Sequence, residues 1–96
     1  MGYETKLKNK ETDDLFEAII SIKDLDDCYR FFDDLCTVKE IRAMAQRFEV
    51  AKLLMKKKTY SEIEETTGAS TATISRVNRS LAFGKGGYAM LFAKED

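Results

Sequence analysis

The stretch that decides the fold is TYSEIEETTGASTATISRVNRSL, residues 59–81. Thr59 followed by Glu62 is the capping-box pattern that begins a helix. Gly68 marks the end of that helix, because helices commonly end on a left-handed residue and glycine adopts this conformation at little cost. The spacing predicts a short helix, a glycine turn and a second helix, which together form a helix-turn-helix over residues 59–83.

The second helix of this motif carries an inner apolar stripe. Ser70 or Thr71 is placed to cap it. Ile74, Val77 and Leu81 then recur at helical spacing, which indicates one buried face. The first helix would present Ile63 to the same core.

The opposite face of the second helix is polar and basic. A recognition helix enters the major groove of DNA by its N-terminal end, where small side chains reach base edges and arginines further along bind guanine or phosphate. An ordinary helical hairpin with a polar second helix is the alternative. The predicted DNA-contacting residues are Ser61, Ser70, Thr71, Ala72, Thr73, Ser75, Arg76, Asn78 and Arg79.

The distribution of charge supports this location for the interface. The net charge of the chain is −1. Residues 1–45 hold seven Lys or Arg against eleven Asp or Glu, whereas residues 46–87 hold eight against four. The positive charge therefore coincides with the motif, where phosphate contact requires it. Glu62, Glu64 and Glu65 lie on the leading helix and are expected to point away from the duplex.

Three helices are predicted before the motif, at about residues 11–23, 24–36 and 37–57. Thr12 is a candidate start for the first helix, and Thr37 with Glu40 forms a capping-box pattern at the start of the third. The third helix is apolar around much of its circumference, which favours burial on several sides. This pattern predicts a dimer; the alternative is one wide face packed against the first two helices.

The tail after Gly84 is predicted to form a glycine turn and a short helix over residues 87–95. Its apolar residues suggest that it docks on the body of the dimer. The alternative is a frayed terminus.

Composition argues against several other classes of protein. The chain has no histidine, and Cys28 and Cys36 are too far apart for a CxxC pair, so neither a metal site nor a catalytic site is predicted. The acidic pairs 26–27 and 33–34 are interpreted as solvated helix faces. No apolar run is long enough to span a membrane, and residues 1–10 do not resemble a secretory signal, so we expect a cytoplasmic protein.

A protein-interaction module without direct DNA binding is the alternative function. The acidic N-terminal half and the modest number of basic residues on the second helix motivate it.

Four segments resemble the Trp repressor family, and within it the smaller proteins labelled YerC/YecD. They are LCTVKE at 35–40, AMAQR at 43–47, TGASTATISR at 67–76 and the phenylalanine-rich YRFFDDLC at 29–36. The third of these segments is the most specific. The strong part of the match covers roughly half of the chain.

This resemblance implies an all-α, Trp-repressor-like multi-helix fold with a helix-turn-helix, in an intertwined homodimer. It implies one domain over residues 1–96, with dimerisation helices at 11–57, the helix-turn-helix at 59–83 and a C-terminal helix at 87–95. It also implies a repressor of transcription that binds palindromic double-stranded DNA, because a two-fold symmetric dimer binds a two-fold symmetric site.

The resemblance further implies a pocket for a small amino-acid-like corepressor, lined by Thr37, Arg47, Arg76 and Ser80. Val77 stands beside the second arginine, where Trp repressor has glycine, and its branched side chain takes space that an indole ring uses. This argues against tryptophan as the ligand. The alternative roles are that Arg47 anchors its helix to the recognition unit and that Arg76 contacts phosphate.

Overall fold

The computed structural model describes residues 2–93, and over these residues the chain is helical with no strand. The predicted all-α class is therefore confirmed. No described helix is both long and apolar enough to cross a membrane. The helices are α1 Lys10–Ile20, α2 Leu25–Leu35, α3 Val38–Met55, α4 Tyr60–Thr67, α5 Thr71–Phe83 and α6 Gly87–Phe92.

The chain divides into two compact units, Met1–Thr37 and Val38–Asp96. The N-terminal unit contains α1 and α2. The side chain of Asn9 begins α1 by accepting a hydrogen bond from the Thr12 backbone N–H at 2.8 Å. The predicted start at Thr12 was therefore about one turn late, because a capping side chain lies three residues before the amide that it binds.

No described residue of the N-terminal unit is buried. Ile20 is 81% exposed and Leu25 is 70% exposed, although both lie on the helices of this unit. Phe16, Tyr29 and Leu35 are exposed as well. The apolar faces that the sequence places on α1 and α2 are thus at most partly buried in a single chain.

The core lies in the C-terminal unit, where α3, α4 and α5 pack together. Each helix contributes through its apolar stripe, and the buried positions on α4 and α5 include the predicted Ile63, Ile74 and Val77. Leu81 is half-buried at the edge of this core. The buried residues are Val50, Ala51, Ile63, Ala69, Ile74 and Val77.

Helix α3 ends in a Schellman motif formed by a lysine. The N–H of Lys58 donates to the carbonyl of Leu53 at 3.1 Å, and the N–H of Lys57 donates to the carbonyl of Leu54 at 3.0 Å. Lys57 has φ 67°, in the left-handed region that favours glycine. This tight turn sends the chain directly into α4.

Helix α6 packs on α3 through aromatic side chains, which agrees with the predicted docking of the tail. The ring of Phe48 lies 5.0 Å from that of Phe92 and 6.4 Å from that of Tyr88, centroid to centroid. The Lys52 ammonium lies 5.7 Å from the centroid of the Phe48 ring. The predicted helix extended to residue 95, and residues 94 and 95 lie outside the described residues.

Candidate nucleic-acid interface

The leading helix α4 begins with the reciprocal capping box that the sequence predicted. Thr59 Oγ1 accepts from the Glu62 N–H at 3.1 Å, and the Thr59 N–H donates to Glu62 Oε1 at 2.9 Å. The second bond, received from the backbone of Thr59, is the main cause that lowers the pKa of Glu62 below its ordinary value. The positive charge of Lys58 acts in the same direction. These bonds fix where α4 starts.

The turn between α4 and α5 is held by hydrogen bonds around Thr67. Gly68 adopts φ 73° and ψ 6°, the left-handed conformation predicted for it. Thr67 Oγ1 donates to the carbonyl of Ile63 at 2.8 Å and accepts from the Ala69 N–H at 3.1 Å. Gln46 Nε2 on α3 donates to the Thr67 carbonyl at 3.2 Å. The angle between the two helices is therefore fixed by polar contacts as well as by the apolar core.

Helix α5 is capped by Ser70, which settles the choice left open between Ser70 and Thr71. Ser70 Oγ accepts from the Thr73 N–H at 3.2 Å and lies at the same distance from Thr73 Oγ1, to which it donates. The hydroxyl groups of both residues are thus engaged with each other at the first turn of the helix.

Glu64 on α4 contacts Thr71, the first residue of α5. The Thr71 hydroxyl donates to the Glu64 carboxylate. Glu64 is exposed, as a charge at this position must be, but it does not lie apart from the predicted DNA-contacting residues. The glycine turn reverses the chain and brings residue 71 back beside residue 64, a pairing that spacing along a single helix does not reveal.

The remaining predicted DNA-contacting residues form an exposed polar face on α5. Arg76 and Arg79 are exposed, and the side chain of neither forms an ion pair or a hydrogen bond within the part of the chain that the structure describes. Ser75 and Thr73 are half-buried, while Ala72 and Asn78 are exposed, and Ser61 is exposed on α4. The structure thus presents two unneutralised guanidinium groups on the face opposite the buried stripe.

The predicted corepressor residues are distributed differently. Ser80 lines a mainly apolar cavity of about 520 Å³ between the end of α5 and α6, alongside Phe48 and Tyr88. Neither Arg47 nor Arg76 lines this cavity. Thr37 lies at the end of the N-terminal unit.

Val77 is 2% exposed and belongs to the core, so it does not project into open space where a ring would sit.

Sequence reasoning did not assign a role to two residues that shape the site. Gln46 was quoted only as part of a resembling segment, and its neighbour Arg47 was considered as the anchor of α3; the observed anchor to the turn is Gln46. Glu64 was expected to be a bystander. Helix α3 carries several other polar residues, so the sequence offered no signal that singled out Gln46, and it offered none for the contact of Glu64 with Thr71.

Comparison with known proteins gives consistent matches along most of the chain. Residues 10–96 match the family model described as Trp repressor protein. The protein YerC of Bacillus subtilis (strain 168) is 60% identical over 85 residues, which are 88% of this chain and 82% of that protein.

Two solved structures are also similar. A TrpR-like protein from Eubacterium eligens ATCC 27750 has a TM-score of 0.90 at 57% identity, over 93% of this chain and 92% of that one. A candidate Trp repressor from Staphylococcus aureus has a TM-score of 0.90 at 49% identity, over 93% of this chain and 89% of that one. Both likenesses extend over almost the whole described chain.

Proposed function

Because the chain belongs to the Trp repressor family and to its YerC-like subgroup, we propose that it is a DNA-binding regulator that acts as a homodimer. Its target would be a palindromic site in double-stranded DNA, and its effect repression of transcription. Membership of this family supports DNA binding. The symmetric dimer and the repressor role are what we propose in addition for this chain.

The observation that carries the proposal is the exposed face of α5. Arg76 and Arg79 offer guanidinium groups that no described carboxylate neutralises. An unpaired guanidinium binds a phosphate or a guanine edge through two parallel hydrogen bonds. The buried Ile74 and Val77 on the opposite side hold the helix in the core, so this face is presented as one rigid surface.

The dimer is supported by apolar surface that a single chain leaves uncovered. Unit Met1–Thr37 has no buried described residue. On α3, Met44, Phe48 and Met55 are also exposed. Many large apolar side chains left exposed indicate an interaction surface, and most soluble oligomers are symmetric assemblies of one chain.

A small amino-acid-like corepressor is part of the proposal. Arg47 is half-buried and, like Arg76, makes no ion pair with the described residues. Both guanidinium groups can therefore donate hydrogen bonds to the carboxylate of a ligand. Val77 is packed into the core, so its side chain does not itself count against an indole ring as the bound group. Calorimetry with a panel of amino acids that includes tryptophan and histidine tests this part, and absence of heat from all of them would make the protein a constitutive DNA binder.

In vitro selection of bound DNA tests the proposal as a whole. We expect an enriched palindrome whose half-sites lie about one helical turn apart, roughly 34 Å, and an affinity that falls steeply as salt is raised. Absence of any enriched sequence, even at low salt, would contradict DNA binding and leave a protein partner as the function.

Substitution of the two arginines tests the residues. Arg76→Ala and Arg79→Ala are each expected to weaken binding by about tenfold to a hundredfold, the range for one lost bidentate base contact. Arg30→Ala is the matched control, since it removes the same charge from α2, where the guanidinium is paired with Asp27. Equal affinity of all three variants would exclude α5 as the interface.

A further inference from the structure

We infer that Glu64 positions Thr71 so that the start of α5 recognises thymine through its methyl group; this rests on the proposed DNA binding. Nothing in the chemistry of helix-turn-helix docking requires a carboxylate at this place, since a negative charge beside DNA opposes binding. Its contact with a predicted DNA-contacting residue therefore calls for a role of its own.

The first observation is that the hydroxyl groups at the start of α5 are already engaged. Ser70 and Thr73 bind each other and cap the helix. The Thr71 hydroxyl donates to Glu64. A hydroxyl that donates its only proton to a carboxylate has no proton left for a base. Among these three hydroxyl groups only that of the half-buried Thr73 keeps its proton, so the exposed start of the helix is poor in free donors.

The second observation is what remains exposed there. Thr71 and Ala72 are both exposed. The bond to Glu64 fixes the side chain of Thr71 in one rotamer. Rotation about the Cα–Cβ bond would move both the oxygen and the methyl group to other staggered positions and break this bond. With the oxygen held by Glu64, the methyl group is the part of the Thr71 side chain left for a partner, and Ala72, the next residue, offers only a methyl group.

An exposed methyl group at the start of a recognition helix has a defined partner in the major groove. The 5-methyl group of thymine is the one apolar feature that a base pair presents there, and Thr and Ala side chains contact it. The negative charge of Glu64 disfavours a phosphate at this point. The start of α5 should therefore distinguish thymine by apolar contact.

The test replaces thymine with deoxyuridine in the selected duplex, one symmetric pair of positions at a time. This exchange removes a methyl group and leaves every hydrogen-bonding group of the base pair unchanged. For the wild-type protein we expect one pair of positions at which uracil weakens binding by about threefold to fivefold per half-site, the value of one buried methyl group.

Variants at Thr71 test whether its methyl group causes the preference for thymine over uracil. Thr71→Ser keeps the hydroxyl and removes the methyl group, so it should lower the preference for thymine at these positions to less than about twofold. Thr71→Val keeps a methyl and should retain the preference. The reverse pattern, with preference lost in T71V and kept in T71S, would overturn the inference because it assigns recognition to the hydroxyl.

Variants at Glu64 test whether its hydrogen bond to Thr71 orients the Thr71 side chain. Glu64→Ala removes the acceptor and should reduce the preference to less than about twofold. Glu64→Gln removes the same charge but keeps an oxygen that accepts from Thr71, so it should retain the preference. Both should bind unselected DNA more tightly than wild type to the same degree, which separates the effect of charge from that of position.

Each remaining outcome is decisive. All four variants alter exposed residues, and unchanged helical circular dichroism and melting temperature confirm that they fold. Equal binding of thymine and uracil at every position overturns the inference and leaves the proposed function standing. Equal preference in E64A and E64Q overturns the role of Glu64. Failure to select any duplex refutes the proposed function, and the inference with it.

Discussion

The two units of this protein use apolar residues in opposite ways. Unit Val38–Asp96 contains all six buried apolar residues of the described chain, contributed by α3, α4, α5 and the turn between the last two. Unit Met1–Thr37 has none, although Ile20 and Leu25 are large and apolar. Both units have well-capped helices, so the difference lies in packing and not in local structure.

This contrast indicates which part of the molecule a single chain can stabilise. Burial of apolar surface is the main favourable contribution to folding, and a helix without a buried face is marginal in water. The C-terminal unit closes its core with its own residues. The N-terminal helices need a covering surface, which the proposed second copy would supply.

The largest expected effect comes from a cavity in the closed core. Ile74→Ala should lower the free energy of unfolding by about 3 kcal/mol, since Ile74 is fully buried and the truncation leaves a void. Thermal or denaturant unfolding measures it. Ile20→Ala is the matched control in the other unit, and at an exposed position it should cost less than about 0.5 kcal/mol in a monomer.

If Ile20→Ala lowers the free energy of unfolding nearly as much as Ile74→Ala, the contrast between the two units holds only for a single chain and not for the protein in solution. It would mean that Ile20 is buried in the state that unfolds, as a dimer requires. The concentration dependence of that cost then identifies the covering surface as a second copy.

Dilution is the next largest test. If the N-terminal unit is covered by a partner, tenfold dilution should lower the apparent free energy of unfolding by about 1.4 kcal/mol, by mass action. Melting at several protein concentrations measures this, together with molecular mass by sedimentation. Ile20→Asp should shift the protein toward the monomer, and a melting temperature that is independent of concentration would contradict the dimer.

The left-handed lysine gives a smaller effect of opposite sign. Lys57→Gly should raise the free energy of unfolding by about 1 kcal/mol, because glycine adopts φ 67° without the steric cost that a side chain carries. Lys56→Gly is the control, since that residue has no positive φ and glycine there should destabilise. A destabilising Lys57→Gly would show that the lysine side chain makes a contact worth more than the strain.

The smallest effect is the pH dependence of the α4 cap. The pKa of Glu62 is lowered in the folded state from its ordinary value of 4.5, so its carboxylate stabilises the fold above that value. The contribution is lost as the pH falls through the folded-state pKa. The stability of Glu62→Gln relative to wild type should therefore improve on acidification from pH 7 toward pH 3, followed by thermal melts.

Much of the helix-turn-helix formed by α4, the glycine turn and α5 could be predicted from the sequence, because its determinants are local. The capping box of Thr59 and Glu62 and the left-handed Gly68 each depend on residues within a few positions of one another. The stripe of Ile74 and Val77 depends on helical periodicity alone. The family resemblance, quoted from segments such as residues 67–76, was confirmed by the comparisons. The roles assigned to DNA-contacting and corepressor residues stay predictions.

What the tertiary structure decided is every contact between residues distant along the chain or across the turn. Gln46 binds Thr67 from another helix, and Glu64 binds Thr71 because the glycine turn folds α5 back beside α4. The periodicity of the sequence indicated that α1, α2 and α3 have apolar faces. Only packing determined that the faces of α1 and α2 stay partly uncovered while Val50 on α3 is buried. The physical reason is that caps and stripes are properties of one helix, whereas burial and cross-helix hydrogen bonds depend on how helices are placed in space.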